Sequence, residues 1–216
     1  MSAPRTQTAP TPPAFAAGRA IAVLRGGRPE HLDAVVDVLV GAGLRCLEIT
    51  TNTPDWAEAV TRTRDRHDAE VRVGVGTVIT VEHARRAAAA GAEFALAPDL
   101  DADVGEAVLD AGLGWVPGAL TPSEIVRAWR LGASAVKVFP ADALGGPAYV
   151  AAVRAPLEEI PLIPTGGVGA GNAAAYLDAG AVAVGLGSSL LGSALDDGDL
   201  TGLDVRVRAV VEAVTR

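Results

Sequence analysis

Lys137 is the one lysine among 18 lysine and arginine residues in this 216-residue chain. It lies in Ser134-Ala135-Val136-Lys137-Val138-Phe139-Pro140, an apolar run that reads as a strand. Alternation puts Ala135, Lys137 and Phe139 on one face and Val136 and Val138 on the other. An amine enclosed by apolar side chains gives up its charge more readily than one in water, and the neutral amine is the nucleophile. Taken alone, a strand lysine is more often a snorkelling stem or half of a buried ion pair. Two further strand-like runs decide between these readings. Glu48 shares a face with Cys46 and Thr50, and Arg25 shares one with Ile21 and Val23. Thr77 comes after Val73 and Val75 by the same alternation. Three inward charges would be costly unless they paired or bound something. Together they suit carbonyl chemistry. Lys137 attacks a ketone to form an imine, and Glu48 moves protons between the lysine, the carbinolamine and the carbon next to the imine. Arg25 and the Thr77 hydroxyl suit a substrate carboxylate.

Positioning such a set requires a scaffold, and the chain alternates strand and helix patterns throughout. Strands are expected at Ile21–Arg25, Arg45–Thr50, Val71–Val75, Phe94–Ala97, Gly114–Pro117, the lysine run, Pro161–Pro164 and Val182–Leu186. Helices are expected at Arg28–Gly43, Pro54–Arg66, Val81–Ala90, Asp101–Ala111, Pro122–Leu131, Pro147–Ala155, Asn172–Ala179 and Val205–Val214. Thr53-Pro54 and Thr121-Pro122 read as N-caps followed by proline, and Gly91, Gly132 and Gly180 as helix terminators. Repeated β-α units with short loops imply parallel strands joined by right-handed crossovers. Eight such units suit a single-domain (β/α)8 TIM barrel over residues 13–216, with the site at the C-terminal strand ends. An open doubly wound sheet is the competing architecture, but no G-x-G-x-x-G comes after the first strand. Residues 1–12, rich in Pro, Thr and Ala, are expected to form a disordered tail.

The loops after the seventh and eighth strands carry Gly166-Gly167 and Gly187-Ser188. Glycine lets backbone approach a ligand closely, and amides at the start of a helix point toward an anion. In this architecture those two loops often hold phosphate. A net charge of −8 argues against nucleic acid or an anionic membrane as partner, because no basic face is evident. A small-molecule substrate is expected instead. Cys46 is the one cysteine, which fits a reducing, cytoplasmic setting. His31, His67 and His83 show no ligand spacing and are expected to be solvated, so no metal site is expected.

The motifs LEIT, GVGTVIT, AGAEFALAPDL, PGALTPSE, AVKVFPAD, PTGGV and VGLGSS occur in this order along the chain. Over residues 20–213 the chain resembles the 2-keto-3-deoxy-6-phosphogluconate (KDPG) and 4-hydroxy-2-oxoglutarate aldolase family. The resemblance implies a metal-independent class I aldolase of the Entner–Doudoroff pathway that uses no organic cofactor, commonly a homotrimer. Such enzymes cleave the phosphorylated keto-deoxy acid to pyruvate and glyceraldehyde 3-phosphate. It makes Lys137 the Schiff-base lysine and Glu48 the general acid/base. Thr77 becomes a contact to the pyruvate portion, Pro98 and Phe139 the apolar walls of that pocket, and Gly166, Gly167 and Ser188 phosphate contacts. Asn52 stands where many members carry a carboxylate-binding arginine, so that role passes to Arg25. LRGG at 24–27 and TNTPDW at 51–56 are similar to the 6-phosphogalactonate branch. Thr165 resembles the gluconate branch, where a hydroxyl could read the substrate's C4 configuration. Two readings compete: an aldolase for unphosphorylated 4-hydroxy-2-oxoglutarate, and a phosphate-binding isomerase or non-catalytic binder in which Lys137 is merely electrostatic.

Overall fold

The computed structural model describes residues 18–67 and 71–216. The expected tail at residues 1–12 lies outside the described residues. The strands are β1 (Ala20–Leu24), β2 (Cys46–Thr50), β3 (Arg72–Gly76), β4 (Phe94–Leu96), β5 (Gly114–Val116), β6 (Gly118–Ala119), β7 (Val136–Val138), β8 (Leu162–Pro164) and β9 (Val184–Leu186). Between them run α1 (Leu32–Gly41), α2 (Trp56–His67), α3 (Val81–Ala89), α4 (Ala102–Asp110), α5 (Pro122–Arg130), α6 (Pro147–Arg154) and α7 (Ala173–Asp178). After β9 come two single turns, α8 (Ser188–Leu191) and α9 (Ala194–Asp197), and then α10 (Leu203–Thr215).

The protein is an α/β fold with every strand pair parallel. Six strands form one sheet in the order β5-β4-β3-β2-β1-β9, and three form a second in the order β6-β7-β8. The fifth expected strand is divided at Pro117, which has no N–H to donate to a ladder. Its carbonyl still accepts from the Lys137 amide at 2.9 Å. At the other side a bridge links Thr165 to Gly185, and the Val182 amide donates to the Leu162 carbonyl at 3.0 Å.

Alternation along the strands separates two apolar clusters. The larger joins the outward strand residues, such as Leu47, Ile49, Val136 and Val138, to the helices. The smaller contains Ile21, Cys46, Phe94, Leu96, Val116 and Ile163 from strands of both sheets, with Ala135 and Ala183 just before β7 and β9. It forms a plug beneath the C-terminal strand ends. Cys46 belongs to it, and burial first, then the Glu48 carboxylate, push its thiol far above the ordinary range.

Helix ends obey sequence chemistry unevenly. Thr121 and Glu124 form a reciprocal capping box at α5. The expected cap at Thr53 is not made: α2 begins at Trp56, after Asp55 at φ 53°. The Thr53 hydroxyl turns instead to the backbone beyond β1, where the Gly26 amide donates to it at 3.4 Å. The histidines are also less solvated than expected. His67 Nε2 lies 3.1 Å from Asp37 Oδ1, and the His83 ring meets Trp56 edge-on.

Candidate active site

β7 and β2 face each other across the top of the inner plug. Val136 and Val138 anchor β7 outward against the helices, so Lys137 between them points inward. On β2, Leu47 and Ile49 do the same for Glu48. The result is a pair with Lys137 Nζ 3.5 Å from Glu48 Oε1 and side-chain exposures of 5% and 1%. Neither oxygen of Glu48 has a hydrogen-bond partner among the described residues. A buried carboxylate left in that state is an expensive arrangement, and such arrangements concentrate where chemistry is done. Lys137 Nζ also stands 5.4 Å from the centre of the Phe139 ring.

The pair opens into a cavity of about 450 Å³ whose lining includes Lys137 and Phe139. Arg25, Thr77, Pro98, Thr165, Gly166, Gly167, Gly187 and Ser188 line the same cavity. Thus every candidate residue from the sequence lines it except Glu48, which lies just behind Lys137. Asn52 is exposed and does not line the cavity.

Two expectations need correction. Arg25 is not a buried inward charge; it is exposed at the mouth, one residue beyond the end of β1. There its Nη2 reaches Thr77 Oγ1 at 3.5 Å. Thr77 does not share a face with Val73 and Val75, which pack outward in the large cluster. It takes φ 60°, a left-handed conformation rare for a β-branched residue, and this reverses the alternation.

The inward residues of β3 are therefore Gly74 and Gly76, and sequence reasoning missed them. A β-carbon on Gly74 would lie 2.2 Å from the Phe94 ring, and one on Gly76 would lie 1.9 Å from Glu48 Oε1. Gly185 likewise leaves room for Thr165, whose Oγ1 would be 2.3 Å from an added β-carbon. The signal was present in Arg72-Val73-Gly74-Val75-Gly76, where valine and glycine alternate strictly. Leu195 and Asp196 also line the cavity from α9, which no motif announced.

The Gly166-Gly167 turn holds φ 91° and 78°, beside the Gly187-Ser188 step into α8. Ser189 Oγ donates to the Val168 carbonyl at 2.5 Å and joins the two loops. Among the described residues no group of three His, Cys, Asp or Glu side chains is disposed to hold a metal ion. No helix among them is long and apolar enough to cross a membrane.

A family model described as KDPG and KHG aldolase matches residues 14–204. The chain belongs to the KDPG and KHG aldolase family. It is an aldolase, a carbon–carbon lyase, and its relatives carry more than one substrate name. It is 39% identical over 159 residues to 2-dehydro-3-deoxy-phosphogluconate aldolase of Treponema pallidum, covering 74% of this chain and 75% of the relative. It is 34% identical over 195 residues to the probable 2-dehydro-3-deoxy-6-phosphogalactonate aldolase of Rhizobium meliloti, covering 90% and 92%. Among solved structures, the KDPG aldolase of Legionella pneumophila with pyruvate captured as a covalent carbinolamine superposes with a TM-score of 0.76. That match has 26% identity and covers 92% of this chain and 93% of the other.

Proposed function

We propose that this aldolase reversibly cleaves 2-keto-3-deoxy-6-phosphogluconate to pyruvate and glyceraldehyde 3-phosphate through an imine on Lys137. The observation that carries the reading is the buried Lys137–Glu48 pair at 3.5 Å, opening on a cavity with an arginine at its mouth. Lys137 Nζ adds to the C2 ketone, and Glu48 supplies the proton that lets water leave the carbinolamine. Glu48 then takes the proton of the C4 hydroxyl. The C3–C4 bond breaks, its electron pair moves into the imine, and the aldehyde departs. Protonation of the resulting enamine at C3 and hydrolysis of the imine release pyruvate and regenerate the amine. Arg25 and Thr77 hold the carboxylate, and Pro98 and Phe139 wall the pyruvate end. The amides around Gly166, Gly167, Gly187 and Ser188 receive the phosphate.

The galactonate-derived epimer is a second reading. Asn52, LRGG and TNTPDW favour it, while the Thr165 hydroxyl in the cavity favours gluconate. The proposal carries with it a closed single-domain (β/α)8 barrel, supported by the Thr165–Gly185 bridge and the inner plug. A homotrimer is the expectation from the family resemblance and a cytoplasmic setting the expectation from the lone Cys46; light scattering and cell fractionation check them.

Incubation with pyruvate and borohydride, and then mass spectrometry, tests the reading directly. One reduced pyruvate adduct on Lys137 is expected, and its absence from folded, active protein would sink the imine mechanism. Lys137→Arg keeps the charge but cannot carry the chemistry, and its activity should fall at least about 10³-fold.

A further inference from the structure

The threonines that close β2 have no part in the chemistry above, yet each directs its hydroxyl to backbone beside a carboxylate-binding residue. Thr50 Oγ1 donates to the Leu24 carbonyl at 3.2 Å, and Thr53 Oγ1 donates to the same oxygen at 3.3 Å. Thr53 Oγ1 also accepts from the Gly26 amide at 3.4 Å. Both hydroxyls are buried, so the peptide groups on either side of Arg25 end on one enclosed pair. Behind them Gly26 packs so closely on α9 that a β-carbon there would lie 2.5 Å from Leu195 Cβ. The Arg25 backbone is thereby fixed, although its guanidinium stands in the open mouth.

Thr51 does the same on the β3 side. Its amide donates to the Gly76 carbonyl at 2.9 Å, and its hydroxyl donates to the Thr77 carbonyl at 2.7 Å. Those bonds grip both carbonyls at the point where Thr77 turns left-handed. A β-branched residue keeps such a conformation only where its surroundings over-determine it. That turn is what brings the Thr77 hydroxyl within 3.5 Å of Arg25 Nη2.

We infer that Thr50, Thr51 and Thr53 form one positioning clamp, which sets Arg25 and Thr77 as a single carboxylate-binding unit. The clamp hangs from the strand that carries Glu48, so it fixes the carboxylate's place relative to the proton shuttle. The inference rests on the proposed assignment of Arg25 and Thr77 to the substrate carboxylate. Valine at 51 or 53 keeps the branched shape and removes the hydroxyl. At 53 it leaves the buried Gly26 amide without its acceptor, and at 51 it frees Thr77 to leave the left-handed region.

Borohydride trapping on Lys137 tests this, with pyruvate beside acetone, a ketone with no carboxylate. Thr51→Val and Thr53→Val should each need about tenfold more pyruvate for half-maximal trapping. Their trapping rates at saturating pyruvate, and with acetone, should stay within about twofold of the parent chain. Thr51→Ser restores the hydroxyl and should restore half-saturation. Adding Thr53→Val to Arg25→Ala should raise half-saturation no further, as residues of one unit are not additive. Valine variants that half-saturate like the parent overturn the clamp. So do variants that lose pyruvate and acetone trapping in equal proportion. A parent chain that neither ketone labels overturns the imine reading, and the clamp with it.

Discussion

Glu48 Oε1 occupies the space that a side chain on Gly76 would need, since a β-carbon there would lie 1.9 Å away. The register partner of Glu48 is Gly74, while Gly76 pairs with Thr50, so the side chain reaches diagonally across the ladder. The carboxylate therefore leans over the neighbouring strand rather than standing in the open cavity. Gly76→Ala should force it aside. We expect kcat to fall about 10²-fold or more with KM little changed, because a general acid/base is worth roughly 10²–10⁴. Stability should drop by about 1–3 kcal/mol from overpacking. Pyruvate would still be trapped by borohydride, whereas exchange of its methyl protons with deuterium, monitored by NMR, would slow. Unchanged exchange would mean that the carboxylate does not need this site.

Thr165 stands against Gly185 and opens on the cavity next to the Gly166-Gly167 turn. Thr165→Val keeps the shape and deletes the hydroxyl. Under the proposed reading, kcat/KM for the gluconate-derived substrate should fall about 10- to 100-fold, since a lost buried hydrogen bond costs about 1–3 kcal/mol. The galactonate-derived epimer should change less than about threefold. Equal losses on both epimers, measured by coupled release of pyruvate, would show that the hydroxyl does not read C4.

Glu124 gives a pH dependence outside the site. Amide donors from Leu120 and Thr121, and then the Thr121 hydroxyl, hold its carboxyl below the ordinary value of 4.5. A depressed carboxyl contributes stability above its unfolded pKa, and that contribution is lost as pH falls through the folded one. Glu124→Gln should therefore cost about 0.5 kcal/mol near neutrality, a small figure because the carboxylate is exposed and screened. Well below pH 4.5 the two chains should melt alike. A difference that persists undiminished in acid would mean that the capping box acts through shape and not charge.

Much of this was legible because the chemistry-bearing residues sit in regular elements. Lys137 and Glu48 could be placed inward from alternation alone, because both strands are extended and flanked by outward valine, leucine or isoleucine. The α5 start was readable for the same reason, since Thr121 and Glu124 act over three residues of local chain. Thr77 was not, because one left-handed residue breaks the alternation and no neighbour in sequence announces it. Arg25 was misjudged because alternation says which way a side chain points, not whether the strand has already ended. Gly74 and Gly76 escaped notice because a glycine's contribution here is the space it leaves. That space has meaning only once Phe94 and Glu48 are known to fill it. The Thr53 cap failed through competition, as the Gly26 amide and the Leu24 carbonyl claimed the hydroxyl first.

The solitary buried lysine also makes the chain its own occupancy gauge. An endoprotease specific for lysine has one bond to cut, between Lys137 and Val138. In the folded protein that bond lies within a buried strand. After unfolding, an unmodified chain would yield two pieces, residues 1–137 and 138–216. A chain whose amine had been reductively capped by a ketone would stay whole. The fraction of full-length protein on a gel would thus count occupied active sites one by one, with no label and no assay of turnover.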